Sequence, residues 1–421
     1  MPMRAAPTRL LAPLLCAASL ASACGGEPSP TKPPPPDAEP VDERCPGSGV
    51  SKGPWSLRVD RTSAVVRWEA CREGVAKGLT FTPEGGGDAR EATSTVTTYD
   101  VPTRRTAVLD PTAPADEAGM YYLHEAVLPD LAPGACVEYT LAADPAAKGR
   151  VCAAKPDGAP LRFLAIGDTN PGLNRITQKV LDQVLPMGPD FTLHGGDIQY
   201  YDSGLETWAS WFPAMRPMLA RGAFFPALGN HELEVPEEYE AYYKRFFGGA
   251  GFDGAGDHYR FESGGVWFFS LDTEKPLDLA SEQGMWLAQS LADAAAKPGY
   301  RFSVVFLHKP LVTCGDKSDD PERRAELEPL FVQHGVKLVI QAHMHGYERF
   351  AFPDITWITT GGGGASLANV DENMDRPICA MRAASGTVRH AVILDATGTT
   401  LSGQVIDDVG AVWDTFTLDG P

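Results

Sequence analysis

Polar and apolar positions fall into two regimes that meet near Leu161. Ahead of it, from about Gly53, short apolar runs alternate with Gly- and Pro-rich turns. Runs at 57–59, 64–68, 93–98, 105–109, 121–127 and 137–141 are rich in the β-branched and aromatic residues that strands favour. Roughly seven such strands predict a β-sandwich, with Trp68 in its core and His124 as a structural or surface residue. Beyond Leu161, apolar runs at 161–166, 191–193, 224–228, 266–271, 302–307, 336–340 and 355–359 alternate with helical stretches. That alternation predicts an α/β domain. Helices are expected at 174–184, at 282–296 and from Pro321, where Asp320 caps and proline takes the first helical position. Pro329 is expected to break or restart the last of these. Glycines 361–364 read as a tight loop packed beneath its neighbours, with a phosphate cradle as the alternative. Runs at 391–394, 400–406 and 413–418 read as closing strands.

The N-terminus has a different character. Arg4 and Arg9 precede an apolar stretch, 10–20, that is too short to span a bilayer comfortably, so 1–24 reads as an export leader. Ala21-Ser22-Ala23-Cys24 fits either an ordinary cleavage site or a bacterial lipobox. A Pro-rich tether, 25–52, follows as an extended spacer, and a tether directly after Cys24 favours a lipid anchor there. The chain is therefore read as exported, either held at a bacterial cell envelope or secreted. Six cysteines lie beyond the leader, and none forms a CxxC pair. They read as disulfides of an oxidising compartment, with Cys136–Cys152 and Cys314–Cys379 favoured.

The chain has 421 residues and a formal net charge of −19. Two domains are the expectation at that length. The charge argues against a nucleic-acid-binding surface, and no protein partner is indicated. Any phosphate must be held by local positive charge, which bound metals would supply. The chemistry gathers where apolar runs end: Gly167-Asp168-Thr169-Asn170, Gly195-Gly196-Asp197-Ile198-Gln199-Tyr200, Gly229-Asn230-His231-Glu232, His308-Lys309-Pro310 and Ala342-His343-Met344-His345-Gly346. In α/β sheets, sites form in the crevice beyond the carboxyl ends of strands. Ligands far apart in sequence can meet there. Asp197 is a short, hard anion suited to bridging two cations. Tyr200 is a phenol, which ligates near neutral pH only beside a strong Lewis acid such as ferric ion.

This set of motifs resembles the calcineurin-like metallophosphoesterases, and within them the purple acid phosphatases. Tyr200, three residues after Asp197, and Tyr347-Glu348-Arg349 after the paired histidines point to that subgroup. The Leu-x-Pro-Gly-x-x-x-x-Tyr texture ending at Tyr139 resembles fibronectin type III modules. The expected architecture is thus a fibronectin III-like β-sandwich at 53–157, followed by an α/β/β/α metallophosphoesterase domain at 158–421. The resemblance implies two metal ions. Fe(III) would be held by Asp168, Tyr200 and His345. Divalent Zn, Fe or Mn would be held by Asn230, His308 and His343, with Asp197 bridging. It implies attack of a metal-bound hydroxide on a phosphate monoester, with His231 protonating the leaving oxygen and Asn230, His231 and Asn170 contacting the substrate. Glu232, Glu348 and Arg349 are expected to support the loops, with phosphate binding as the alternative for Arg349. The sequence departs from the family's pattern at Ala342 and Asn170, where glycine is usual. It also lacks the His-His pair that plant-type members carry after the residue equivalent to His308.

Two other functions stay open on the sequence. One is a phosphodiesterase or nucleotide hydrolase built on the same residues. The other is a cell-surface binding protein with a vestigial metal site.

Overall fold

A computed structural model describes residues 45–101, 119–170, 175–200, 208–233, 242–251 and 256–419. The leader, most of the tether, Cys24 and the run at 105–109 lie outside the described residues. No helix among those described is long and apolar enough to cross a membrane.

The first eight strands are β1 (Val50–Leu57), β2 (Ala64–Ala70), β3 (Gly78–Pro83), β4 (Arg90–Thr93), β5 (Thr95–Val101), β6 (Gly119–Leu128), β7 (Cys136–Leu141) and β8 (Lys148–Cys152). The expected strand at 93–98 is in fact two, split at Ser94. Strands β4, β3, β7 and β8 form a four-stranded sheet. Strands β1, β2, β6 and β5 share an apolar core with that sheet and also belong to a larger one. They extend a ten-stranded sheet, because β1 pairs in parallel with β11 (Ala223–Pro226) at Ser56 and Ala223. Trp55 cements that junction. Its indole N–H donates to the Phe246 carbonyl at 3.1 Å, and its ring lies 4.8 Å from that of Phe212. One apolar core therefore runs from Trp55 and Trp68 to Val392 and Phe416. His124 is buried, stacked on Trp68 at 4.8 Å and hydrogen-bonded to Ser94 at 2.8 Å.

The rest of that sheet is parallel β9 (Leu161–Ile166), β10 (Phe191–His194) and β11, with antiparallel β19 (His390–Thr397), β20 (Thr400–Asp407) and β21 (Val412–Leu418) at the far edge. A seven-stranded sheet holds β12 (Tyr259–Ser263), β13 (Val266–Ser270), β14 (Phe302–Phe306), β15 (Val336–Gln341), β17 (Thr356–Thr360), β16 (Tyr347–Ala351) and β18 (Arg382–Gly386), in that order. The two sheets pack face to face. Phe163 and Phe191 of one meet Phe268 of the other at ring distances of 5.2 and 5.3 Å. Strand alternation then sorts the opposite face. Val304 and Phe306 point into this layer, whereas Val305 and Leu307 join Leu287, Leu291, Leu327 and Phe331 in a second core under the helices.

Five helices are described: α1 (Ile176–Val184), α2 (Trp208–Leu219), the short α3 (Lys244–Phe247), α4 (Glu282–Ala295) and α5 (Pro321–Gln333). Asp320 caps α5 by accepting the Arg323 N–H at 2.9 Å. Pro329 does not break this helix, contrary to expectation. Pro329 and Ala325 are both exposed, so the carbonyl deprived of its N–H donor faces water, where the loss is small. Three disulfides are present, Cys45–Cys71, Cys136–Cys152 and Cys314–Cys379. The last two are the favoured pairings. Cys136 and Cys152 stand directly opposite each other on β7 and β8.

Candidate metal centre

Five polar loops leave the carboxyl ends of β9, β10, β11, β14 and β15, three from one sheet and two from the other. They meet at one edge of the sheet pair. Their backbones are bent hard to do so. Asp168, Asp197 and His343 have φ of 55°, 50° and 65°, in the left-handed region that side chains other than glycine seldom occupy. Glycines beside them make room. A Cβ on Gly167 or Gly195 would lie 2.7 or 2.8 Å from the Ala342 methyl. Ala342 therefore fits without displacing its loop, since its methyl fills the space those glycines leave. Gly361 is equally constrained: a Cβ there would lie 2.8 Å from Asp168 Oδ2. Gly363 and Ala365 donate to the Gly167 and Asp168 carbonyls at 3.0 and 2.9 Å. The 361–364 loop thus braces the site from below by close packing.

The seven side chains expected to ligate converge in two groups. Tyr200 Oη lies 2.8 Å from Asp168 Oδ1 and 2.9 Å from His345 Nε2. His308 Nε2 lies 3.1 Å from both Asn230 Oδ1 and His343 Nδ1. Asp197 faces both groups, with Oδ1 3.2 Å from His308 Nε2 and Oδ2 3.1 Å from the Tyr200 phenol. The ligand atoms of Asp197, His308 and His343 all lie within 4.8 Å of one another.

Tautomers explain why this is a cation site. His308 Nδ1 is 2.9 Å from the Gly195 carbonyl, and His345 Nδ1 is 2.7 Å from the Ser366 carbonyl. A carbonyl can only accept, so both Nδ1 atoms carry hydrogen. In each neutral ring the Nε2 lone pair then points inward, that of His308 at Asp197, Asn230 and His343, and that of His345 at Asp168 and the Tyr200 phenol. A cluster so rich in lone pairs suits a cation, and the outward N–H bonds fix the rings for it. Without metal a proton serves. Burial lowers the pKa of His308, but the Asp197 carboxylate outweighs it and lifts the ring to about 9. Burial raises the Asp197 carboxyl, yet His308 and then His231 hold it well below the usual carboxylate range. The Tyr200 phenol is pushed far above its ordinary value by burial, then by Asp168 and Asp197. Burial and the His308 charge take His343 down to about 3.

The remaining residues fall into place around this core. His231 N–H donates to Asp197 Oδ1 at 3.0 Å, its ring lies 4.3 Å from that of Tyr200, and its side chain stays 18% exposed at the mouth. Asn170 is buried, its N–H donates to Thr177 Oγ1 at 3.1 Å, and its side-chain oxygen has no partner among the described residues. Glu232 holds the Gly229 and Asp197 loops together. Glu348 accepts from Thr313 Oγ1 at 2.5 Å and from the Cys314 N–H at 2.8 Å. Arg349 is tied to Asp414 by Nε at 2.6 Å and Nη2 at 3.1 Å, so its charge is spent away from the site.

Sequence reasoning overlooked His194. Thr169 donates its hydroxyl to the Ile198 carbonyl at 2.7 Å, so His194 Nε2–H must be the donor in its 3.0 Å bond to Thr169 Oγ1. His194 Nδ1 accepts from the Gly196 N–H at 3.2 Å. The neutral ring thereby joins the Asp168 and Asp197 loops. Its position directly before Gly195-Gly196-Asp197 was the available signal.

Residues 161–347 match a family model described as calcineurin-like phosphoesterase. An uncharacterized protein of Mycobacterium tuberculosis (strain ATCC 25618 / H37Rv) is 29% identical over 227 residues, 45% of this chain and 43% of that protein. Purple acid phosphatase 22 of Arabidopsis thaliana is 26% identical over 204 residues, 46% of each. The chain thus spans less than half the length of these curated relatives. Among solved structures, purple acid phosphatase PPD1 from yellow lupin (Lupinus luteus) seeds superposes with a TM-score of 0.71 at 20% identity, covering 87% of this chain and 74% of that one. The structure of PhoD superposes with a TM-score of 0.60 at 12% identity, covering 91% and 93%. The family match, the relatives and the shared fold agree: residues 161–347 form a calcineurin-like phosphoesterase domain that is similar to the purple acid phosphatases.

Proposed function

We propose that this chain hydrolyses phosphate monoesters at a two-metal centre, as an exported protein held by lipid on Cys24 at a bacterial envelope or secreted. The observation that carries the reading is the two-sided carboxylate of Asp197. One oxygen faces His308 and the other faces Tyr200, as a bridge between two cations requires. The phenol and carboxylate of Tyr200 and Asp168, with His345, suit Fe(III). Asn230, His308 and His343 suit divalent Zn, Fe or Mn. When bound, the pair would neutralise phosphoryl oxygens and lower the pKa of water.

The chain's own residues do the rest. His231 stands at the mouth with its backbone locked to Asp197, and it donates a proton to the leaving alkoxide. The Asn230 and Asn170 side chains orient phosphate oxygens through their amide N–H₂ groups. We assign the leader to 1–24, the tether to 25–52, a fibronectin III-like scaffold to 53–157 and the hydrolase to 158–421.

The test is metal analysis of aerobically purified protein, followed by a panel of mono- and diesters. Two metals per chain, a visible charge-transfer band and monoester turnover are expected. A colourless protein with two Zn or Mn removes the tyrosinate but keeps the enzyme. Protein without stoichiometric metal overturns the reading. For His231→Ala, the rate loss should grow as the leaving-group pKa rises. A small, constant loss would remove the acid role.

A further inference from the structure

The hairpin between β20 and β21 is tied to the metal-binding loops from two sides. Antiparallel pairing sets Asp407, the last residue of β20, opposite His390. The His390 N–H donates to the Gly362 carbonyl at 3.0 Å, in the glycine loop beneath the site. On the other side, Asp414 of β21 accepts the Tyr347 hydroxyl at 2.8 Å and the Arg349 guanidinium at 2.6 and 3.1 Å. Both residues belong to the run that directly follows His345 and Gly346. Tyr347 and Arg349 thereby hold the hairpin at the edge of the sheet pair where the polar loops meet.

Trp413 lies between those two anchors. Its indole N–H donates to Asp407 Oδ2 at 2.9 Å. A Cβ on Gly386 would lie 3.1 Å from its six-membered ring, and a Cβ on Gly346 would lie 3.1 Å from the Gly386 carbonyl. The contacts from the indole to His345 thus run through Gly386 and Gly346. A second line runs through Thr387, whose hydroxyl donates to the Ala368 carbonyl at 3.4 Å, and Ala368, whose N–H donates to the His345 carbonyl at 3.0 Å. The indole is nonetheless 52% exposed, and Val409 and Val412 on the same hairpin are 78% and 54% exposed. Asp407 Oδ1 accepts the Val409 and Ala411 N–H groups at 3.0 and 2.7 Å, which fixes the turn that presents them. Large apolar side chains held together in water on one rigid tip mark a contact surface.

The size and charge of that surface select its occupant. Val409, Val412 and Trp413 are far fewer than the roughly 20–30 residues a side of a stable protein interface. Asp407, Asp408 and Asp414 flank them, which disfavours an anionic lipid surface. A short hydrocarbon chain whose other end sits in the site fits both facts. We infer that Trp413, with Val409 and Val412, receives the organic group of the substrate, so that the site favours phosphate monoesters of alkyl alcohols long enough to reach the indole. The inference rests on the phosphatase reading and names its substrate class.

The experiment follows hydrolysis of ethyl, butyl, hexyl and octyl phosphate by metal-loaded wild type, Trp413→Ala, Trp413→Phe and Met285→Ala. The leaving alcohols differ little in pKa, so chain length acts through binding rather than through bond cleavage. In the wild type, KM should fall by up to about fourfold for each methylene that reaches the ring, the scale of hydrocarbon leaving water, with kcat within about threefold along the series. In Trp413→Ala the KM ratio of butyl to octyl phosphate should drop at least about tenfold. Trp413→Phe keeps a ring and should retain most of the dependence. Met285 is 59% exposed on α4, and Met285→Ala should match the wild type. Octylphosphonate, which is not hydrolysed, is titrated by calorimetry and should bind Trp413→Ala at least about tenfold more weakly. A wild-type KM that ignores chain length, or a dependence that survives in Trp413→Ala, would overturn the inference and leave the phosphatase intact. A wild-type dimer that dissociates in Trp413→Ala on sedimentation would assign the surface to a second copy of the chain and also overturn it. A wild type that hydrolyses no ester defeats the phosphatase reading, while the octylphosphonate titration still decides whether Trp413 holds a hydrocarbon chain.

Discussion

The Glu232 carboxylate accepts the backbone N–H of Asp197 at 3.0 Å, three residues ahead of Tyr200 and 35 positions before itself. It also accepts the N–H groups of Ile198 at 2.8 Å and Gly229 at 2.7 Å. One buried side chain therefore sets the spacing of the β10 and β11 loops. Burial, with the Asp197 charge, lifts its pKa to about 7, and the N–H donors pull the other way.

Replacing Glu232 by Gln turns an acceptor oxygen into an N–H₂ group that faces backbone donors. Each buried donor left unmet costs about 1–3 kcal/mol. Glu232→Gln should melt several degrees lower than wild type and bind fewer than two metals per chain. Thermal unfolding and metal analysis check both. Full stoichiometry with an unchanged melting temperature would mean that the loops hold their spacing without this carboxylate.

The Ala342 methyl and the bare Cα of Gly195 share one space. Gly195→Ala should destabilise by about 1–3 kcal/mol, the scale of overpacking, because its Cβ would lie 2.8 Å from the Ala342 methyl. Ala342→Gly should restore most of the loss, since nothing else within 3.8 Å of that Cβ is crowded. Denaturant midpoints of the two single variants and the double variant give the coupling energy. Additive losses would show that the strain lies elsewhere.

Tyr200→Phe keeps the ring that packs on His231 and removes only the oxygen shared with Asp168, Asp197 and His345. With the proposed ferric ion, the variant should lose the visible charge-transfer band and bind iron at least tenfold more weakly, while its far-UV spectrum stays unchanged. A band that survives would assign the colour to another group.

Much of this was legible in the chain. The five polar loops were legible where apolar runs stop, because a parallel strand delivers its loop to one edge of the sheet, and the resemblance to the purple acid phosphatases picked the seven side chains out of them. Cys136–Cys152 was legible because it joins strands that read as neighbours, and Cys314–Cys379 because both cysteines fall in the second domain. What failed was long-range or masked. The pairing of Ser56 with Ala223 joins two sheets across 167 residues through one backbone contact, and no local pattern encodes it. Helix α2 was missed because Pro213 and Pro217 lie inside it. Its tryptophans, Trp208 and Trp211, are buried in an aromatic cluster with Phe212 and Phe246, and tertiary packing overrides propensity there. His194 was overlooked although it directly precedes Gly195-Gly196-Asp197, because its two bonds, to Thr169 and Gly196, exist only once the fold brings the loops together.

His124 yields a pH dependence of stability. Burial against Trp68, reinforced by the Lys77 charge, lowers its pKa from the ordinary 6.5 to about 4. The folded chain thus keeps the ring neutral over a range in which the unfolded chain binds a proton. Its contribution is complete above pH 6.5, is lost as pH falls from 6.5 towards 4, and is constant below that. The slope from one such proton is at most about 1.4 kcal/mol per pH unit. His194, His343 and His390, lowered chiefly by burial to about 3, about 3 and about 4, act in the same direction. Wild-type stability therefore falls with the sum of all four, and only a difference between variants isolates one. His124→Gln removes the titration and keeps a polar partner for Ser94. Its stability relative to wild type should improve steadily between pH 6.5 and 4, as read from urea midpoints at intervals of half a unit. A constant offset across that range would mean that the folded chain protonates His124 as readily as the unfolded one.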